Sequence, residues 1–282
     1  MKLHIDIETG DPDDLFMLAI MATHPRVDLL SVTVFPGGRD QVGLVKRVLQ
    51  LVGRADVPVG ANVRDDGKSR VGKFYERWVG KTEPCDPDTD VVGALLSEDH
   101  VGSVTLLTGG PLSNVHRALC ACSAGFHVWT CQGGFVGSNM TLPGQQLEKF
   151  AGQNVVPTFN LNGDPNAAQW LLSSGRFGHI RMVGKNVCHG YVYDEYTVLP
   201  KGKHAGLDLM IEGLECYCKK KPEGKAMHDL LAASMHLSPE NGFWVLGRPH
   251  REKGKWGFRG GGDVLALVGI HNDGRVEAAL AE

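Results

Sequence analysis

Five carboxylates fall within nine residues near the start of the chain, in Asp6-Ile7-Glu8-Thr9-Gly10-Asp11-Pro12-Asp13-Asp14. Ionised carboxylates at close quarters repel, so they gather where a cation or the positive end of a helix compensates them. An oxygen-only donor set suits Ca²⁺ or Mg²⁺ and not zinc. Gly10 permits a tight turn and Pro12 stiffens the loop. The same residues fit a second reading, an acidic surface turn in which Asp11 or Asp13 caps a helix, because Asp is favoured at helix starts. Phosphotransferases with an aspartyl nucleophile also carry D-x-D after a first strand. Here the third position is Glu8, no basic partner motif is evident, and that chemistry gives Asp13-Asp14 no task.

The flanking residues say what must hold this cluster. Leu3 to Ile7 reads as a strand, and Asp13 to Ala22 as a helix with Leu15, Leu18, Ala19 and Ala22 on one face. Leu29 to Phe35 is continuous and β-rich, as a strand buried on both faces would be. Gln41 to Val52 has a helical period. Val104 to Leu107 is a further strand, followed by a Gly-Gly-Pro turn and a helix from Ser113, and Val128 to Cys131 and Ile180 to Val183 repeat the strand signal. The alternation predicts an α/β fold, Rossmann-like, with a mainly parallel central sheet flanked by helices. With no internal repeat, 1–282 is expected to form a single domain. Val63 to Asp90 and the Gly-, Asn- and Gln-rich stretch Gly133 to Pro157 interrupt the rhythm. Ligands of open α/β sheets sit beyond the carboxyl ends of the strands, so either stretch is a candidate to cover a site or simply a surface loop.

Bulk properties exclude several classes. The formal net charge of -3 argues against a nucleic-acid or anionic-membrane partner. The run Lys219-Lys220-Lys221 is read as a solvated helix end. Cys85, Cys120, Cys122, Cys131, Cys188, Cys216 and Cys218 show no C-x-x-C spacing; the C-x-C pairs Cys120/Cys122 and Cys216/Cys218 are read as buried thiols and not ligands, and a reducing compartment is expected. The first residues run straight into Leu3-His4-Ile5-Asp6 without an apolar leader, and no stretch is apolar enough to cross a bilayer. A cytoplasmic protein is the expectation.

The carboxylate cluster resembles the N-terminal D-x-D-P-G-x-D-D fingerprint of inosine/uridine-type nucleoside hydrolases. Further matches follow in family order: Leu29 to Gly37 is similar to the second strand and its loop, and Asp56-Val57-Pro58-Val59 to the D-x-P-V strand. Gly110-Pro111-Leu112-Ser113-Asn114 is similar to the G-P-L-T-N turn. Phe159-Asn160 with Asp164-Pro165-Asn166-Ala167-Ala168 resembles E-F-N followed by D-P-E-A-A, and His228-Asp229-Leu230-Leu231-Ala232 resembles H-D-P-L-A. The similarity spans nearly the whole chain, and the motifs are specific jointly through their order. It implies a nucleoside hydrolase-like fold and calcium-dependent hydrolysis of a ribonucleoside, modified or 5′-substituted nucleosides included, by a homo-oligomer (dimer or tetramer). Asp13 is implied as the general base that activates water. Asp14 and Asp229 are implied as Ca²⁺ ligands, with Glu8 in place of a second-position aspartate, Asp6 as ligand or support, and Gly109 as a carbonyl donor. Asn160 is implied in binding the ribose hydroxyls, Asn154 near the 5′-hydroxyl, and His228 as the acid that protonates the departing base. Breaking an N-glycosidic bond builds positive charge on the ribose, which nearby carboxylates favour, and an ordinary imidazole pKa of about 6.5 suits the donor.

Three departures mark this chain. The first loop is one residue longer and carries Glu8. The family's glutamate before Phe-Asn, which binds the ribose 5′ region, is Thr158, in a segment two residues shorter. Gly38 replaces an asparagine and is followed by Arg39, either a surface charge or a contact for an anionic or larger substituent. An insertion, 135–153, holds Gln145, Gln146, Glu148 and Lys149; it is read as a reader of an unusual base or 5′ group, or as a subunit contact. His189 is expected to be structural and His236 not to be a ligand. Trp244, His250 and Trp256 suit base stacking or packing equally. Two other functions remain open at this stage: a ribose-binding relative without turnover, and another divalent-metal hydrolase such as a phosphoesterase.

Overall fold

The computed structural model describes residues 1–64, 66–96, 103–141, 146–271 and 274–282, so Gln145 of the insertion and Asp65 of the earlier excursion lie outside the described residues. In chain order it contains β1 (Lys2–Ile7), α1 (Pro12–Thr23), β2 (Asp28–Val34), α2 (Arg39–Leu51), β3 (Val59–Gly60), α3 (Lys73–Val79), α4 (Val91–Leu95), β4 (Val104–Thr108), α5 (Ser113–Cys120) and β5 (Phe126–Gln132). There follow β6 (Val155–Val156), α6 (Phe159–Gly163), α7 (Pro165–Ser173), β7 (Phe177–Val183), α8 (Lys185–Cys188), β8 (Val192–Tyr193), α9 (Ala205–Cys218), β9 (Lys225–Ala226), α10 (His228–Leu237), β10 (Gly242–Glu252), β11 (Lys255–Ile270) and α11 (Arg275–Leu280).

Among the described residues the strands line up as β10-β11-β7-β5-β4-β1-β2-β3, with β6 also on β11. From β11 to β3 every pair is parallel; the β10–β11 and β6–β11 pairs are antiparallel. The mainly parallel sheet expected from the alternation is therefore present, with an antiparallel hairpin at one edge. The chain runs outward from β1 through β2 to β3, then returns to β4 on the other flank of β1. That reversal opens a crevice between the carboxyl ends of β1 and β4.

Side chains alternate across each strand, so one strand feeds two cores. Leu3, Ile5, Ile7 and Leu107 join the core built by α1, α2, α9 and α10. Val104, Leu106 and Trp129 join the opposite core, built by α5 and α7. The stretch Gly133 to Pro157 is more than a loop, since Phe135, Phe150 and Val156 form a small cluster of their own with Leu147. Lys219, Lys220 and Lys221 are exposed at the end of α9, as expected. Of the C-x-C pairs, Cys218 is a buried thiol, Cys122 and Cys216 are half-buried and Cys120 is exposed, which corrects the expectation for that residue: it closes a short helix on its solvent side; Cys131 and Cys188 are buried as well.

Helix α10 is tied to the sheet by His236. Its Nδ1 meets Thr130 Oγ1 at 2.7 Å and its Nε2 meets Thr105 Oγ1 at 2.9 Å. Burial pushes this imidazole down to about 3, so the folded state holds it neutral while the unfolded chain protonates it near 6.5. Its contribution is fully present above 6.5 and is lost as pH falls towards 3, at up to about 1.4 kcal/mol per pH unit. Urea titrations at pH 7 and pH 5 are expected to show a steeper loss for the wild type than for His236→Gln. Equal losses in the two proteins would remove His236 as a source of acid sensitivity.

Candidate active site

Four strand ends deliver the site. β1 leads to Glu8–Asp14, β4 to Gly109, β5 to Gln132 and Gly133, and β7 to Lys185–His189; α10 supplies His228 and Asp229 from the far end of the sequence. They surround a cavity of about 470 Å³, lined also by Gly10, Thr158, Phe159 and Asn160. That volume is within the usual range for a small-molecule site. A cleft of similar size at α2, lined by Lys46, Arg47 and Gln50 among others, gathers no buried carboxylates.

The floor is acidic. Asp13, Asp14 and Asp229 each offer a carboxylate oxygen, and these atoms lie within 4.8 Å of one another. All three residues are buried. Asp13 and Asp14 occupy the first turn of α1, and Asp229 the first turn of α10, so two helix N-termini face the cluster. Asp11 is the N-cap of α1 but makes no side-chain cap bond, so the capping reading does not explain these residues. Asp229 donates its backbone N–H to Asp13 Oδ2 at 3.0 Å, and Glu8 N–H donates to Asp14 Oδ1 at 3.2 Å.

Helix ends do not compensate this much charge. Burial and the neighbouring carboxylates Asp229, Glu8 and Asp13 push Asp14 well above the usual carboxylate range; burial, Asp13 and Asp11 do the same to Asp229. Glu8 is pushed up to about 7 by burial and then by Asp11 and Asp13. Asp229 Oδ1 is buried and has no hydrogen-bond partner. A Cβ at Gly109 would stand 2.8 Å from Asp229 Oδ1 and 3.0 Å from Asp14 Oδ1, so bare backbone closes the cluster there. Hard oxygen donors, a partnerless buried oxygen and mutual repulsion fit a divalent cation such as Ca²⁺ or Mg²⁺.

One cation is supplied by the chain itself. Lys225, buried on β9, pairs with Asp13 Oδ1 at 3.1 Å and Asp11 Oδ1 at 2.9 Å. Sequence reasoning missed it. The only signal was the excess of carboxylates, which calls for a basic partner, and nothing local told which lysine answers.

The wall rises from the floor through Asn160. Its Nδ2 donates to Gly109 O at 2.9 Å and Gln132 Oε1 at 2.6 Å, so the carbonyl implied as a cation ligand and the amide implied as a ribose contact are bonded to each other. Gln132 Nε2 reaches Cys188 Sγ at 3.5 Å, and Cys188 Sγ lies 3.6 Å from His228 Nδ1. His189 faces His228 edge-on, with ring centres 4.7 Å apart, which places it on the cavity rather than in a purely structural position.

Eight implied site residues line the cavity: Glu8, Asp13, Asp14, Gly109, Thr158, Asn160, His228 and Asp229. The others do not. Asp6 lies on β1 opposite Thr33 of β2, and its Oδ1 accepts from Thr33 Oγ1 at 2.6 Å and Asn114 Nδ2 at 2.9 Å. It supports the strand ends, and burial pushes it up to about 7. Arg39 pairs with Asp86 at 2.6 Å at the surface start of α2. Asn154 is exposed, and its Oδ1 accepts from Asn139 N–H at 3.1 Å. Trp256 is buried in the α5–α7 core and donates to Asn162; Trp244 packs on the other core; His250 lines a separate cleft under the β10–β11 hairpin. Packing, not base stacking, accounts for the two tryptophans. His228 differs from an ordinary imidazole: burial, then Lys225, push it down to about 4.

The sequence pattern of the family described as inosine-uridine preferring nucleoside hydrolase matches residues 3–253. An uncharacterised protein of Schizosaccharomyces pombe is 27% identical over 197 residues, which covers 62% of this chain and 58% of that protein. The pyrimidine-specific ribonucleoside hydrolase RihB of Shigella flexneri is 26% identical over 192 residues, covering 62% and 56%. The chain therefore spans a little over half the length of these curated relatives. A solved plant nucleoside hydrolase has the same fold, with a TM-score of 0.69 at 19% identity, covering 99% of this chain and 98% of that one.

Proposed function

The chain belongs to the inosine-uridine preferring nucleoside hydrolase family, and from that premise we propose that it hydrolyses the N-glycosidic bond of a ribonucleoside, giving free base and ribose, with calcium held by the floor carboxylates. The observation that carries this reading is that Asp13 and Asp14 meet Asp229, 216 positions beyond Asp13, around a buried Asp229 oxygen that has no hydrogen-bond partner among the described residues.

Asp14 and Asp229, with Glu8 and the Gly109 carbonyl beside them, would hold the cation. When bound, it supplies the charge that fixes a sugar diol and makes a nearby water more acidic. Asp13 accepts the proton of the attacking water; Asp229 N–H and Lys225 fix the direction of its two oxygens. The remaining carboxylates favour the positive charge that builds on the ribose. His228 is neutral at pH 7 in the free protein, so a donor role requires bound substrate to raise its pKa.

The test is base and reducing-sugar release from a panel of ribonucleosides. Chelation is expected to lower the rate by about 100-fold or more, and added calcium to restore it. A second reading, a ribose-binding relative without turnover, is favoured by the engagement of both Asp13 oxygens. Calcium-dependent ribose binding with no base released from any nucleoside would establish that reading in place of the first.

A further inference from the structure

Besides its acidic floor the cavity carries Lys185, which nothing in the proposed hydrolysis uses. Thr158 is 2% exposed, lines the cavity, makes no cap bond to α6, and its Oγ1 has no hydrogen-bond partner among the described residues. A buried hydroxyl without a partner costs free energy unless a ligand supplies one. One residue away, the carbonyl of Pro157 accepts from Lys185 Nζ at 2.9 Å, which leaves that ammonium spare donors. Lys149, exposed outside the lining, meets the lining residue His189, its Nζ 2.9 Å from Nδ1. Neither ammonium has a carboxylate partner among the described residues.

We infer that this wall binds a phosphate, and that the substrate class is a ribonucleoside 5′-monophosphate. The inference rests on the reading that the floor grips the ribose diol. A ribose whose 2′- and 3′-hydroxyls are held there has one hydroxyl left to carry a substituent, at the 5′ position. A continuous path of contacts leads to where that substituent must go. Gly109 closes the carboxylate cluster, Asn160 bonds to Gly109, Thr158 precedes Asn160 by two residues, and Lys185 bonds to the residue before Thr158. A partnerless hydroxyl and an ammonium held at the preceding carbonyl suit phosphate oxygens, and a second ammonium adds charge-assisted attraction.

The test is calorimetry on the calcium-loaded protein, with ribose and ribose 5-phosphate as probes. Ribose 5-phosphate is expected to bind about tenfold or more tightly than ribose at low salt. Lys185→Met with Lys149→Ala is expected to bring that ratio to about two or less. Lys149→Ala alone, remote from the Pro157 carbonyl, serves if the double variant does not fold, and is expected to reduce the ratio in part. Equal binding of the two probes by the wild type, or a ratio unchanged in the variants, overturns the inference. The hydrolase reading fails separately: base released from plain nucleosides with equal probe binding removes only the phosphate, and preferential ribose 5-phosphate binding with no base released from a nucleoside or its 5′-monophosphate removes the hydrolysis and the substrate assignment with it, leaving the phosphate site.

Discussion

Asp13→Asn is expected to lower kcat by about 10²–10⁴, the usual contribution of a positioned general base, while calcium still binds through Asp14 and Asp229. Asparagine keeps the shape and can still accept from Asp229 N–H, so the loss isolates the carboxylate's capacity to take a proton. A side effect is expected in stability. Lys225 is buried against Asp13 and Asp11, and removing one partner of a buried pair costs about 3–5 kcal/mol. The lower end applies here, because Asp11 remains at 2.9 Å. Steady-state base release should therefore be paired with a calcium titration and a urea melt of the same variant. A folded, calcium-binding Asp13→Asn protein with near wild-type kcat would show that the proton goes elsewhere.

The sequence carried the frame of this site better than its inner contacts. The turn from β1 into α1 was legible because a strand pattern meets a helix pattern at the carboxylates, and Asp13 and Asp14 follow from their place in the first helical turn. Asp229 was legible only through the order of motifs, since no local pattern tells that the start of α10 faces the start of α1. Lys225 was not legible, because β9 is two residues long and exists through its pairing with β8. Asp6 was implied by the resemblance as ligand or support; the register of β1 on β2, which gives its Oδ1 to Thr33, is a tertiary fact. Arg39 and Asn154 sit at the ends of loops whose paths depend on what they pack against, and those paths lead away from the cavity. The depressed His228 is likewise a consequence of burial, and residue type alone predicted an ordinary imidazole.

Asp229→Asn is expected to weaken calcium binding by about 100-fold or more, because a charged donor shared with Asp14 becomes neutral and ligand charge sets calcium affinity. The stability of the metal-free protein should move in the opposite direction. In the absence of calcium, Asp229 is held well above its ordinary range by burial and by Asp13 and Asp11, so its ionised form opposes folding at pH 7. The sign follows from linkage: a raised carboxylate favours the fold below its unfolded pKa, and that favour is lost as pH rises through the folded value. An uncharged amide removes the penalty, so the chelated variant is expected to melt at or above the temperature of the chelated wild type. Calcium at about 100 times its Kd stabilises the wild type by about 2.7 kcal/mol; at the same concentration the variant should gain little. A residue that only held the fold together would show the reverse, a lower melting temperature without calcium and an intact shift with it. Scanning calorimetry of both proteins, with chelator and with calcium, separates the two, and an undiminished calcium shift in Asp229→Asn would remove the cation from the proposed floor.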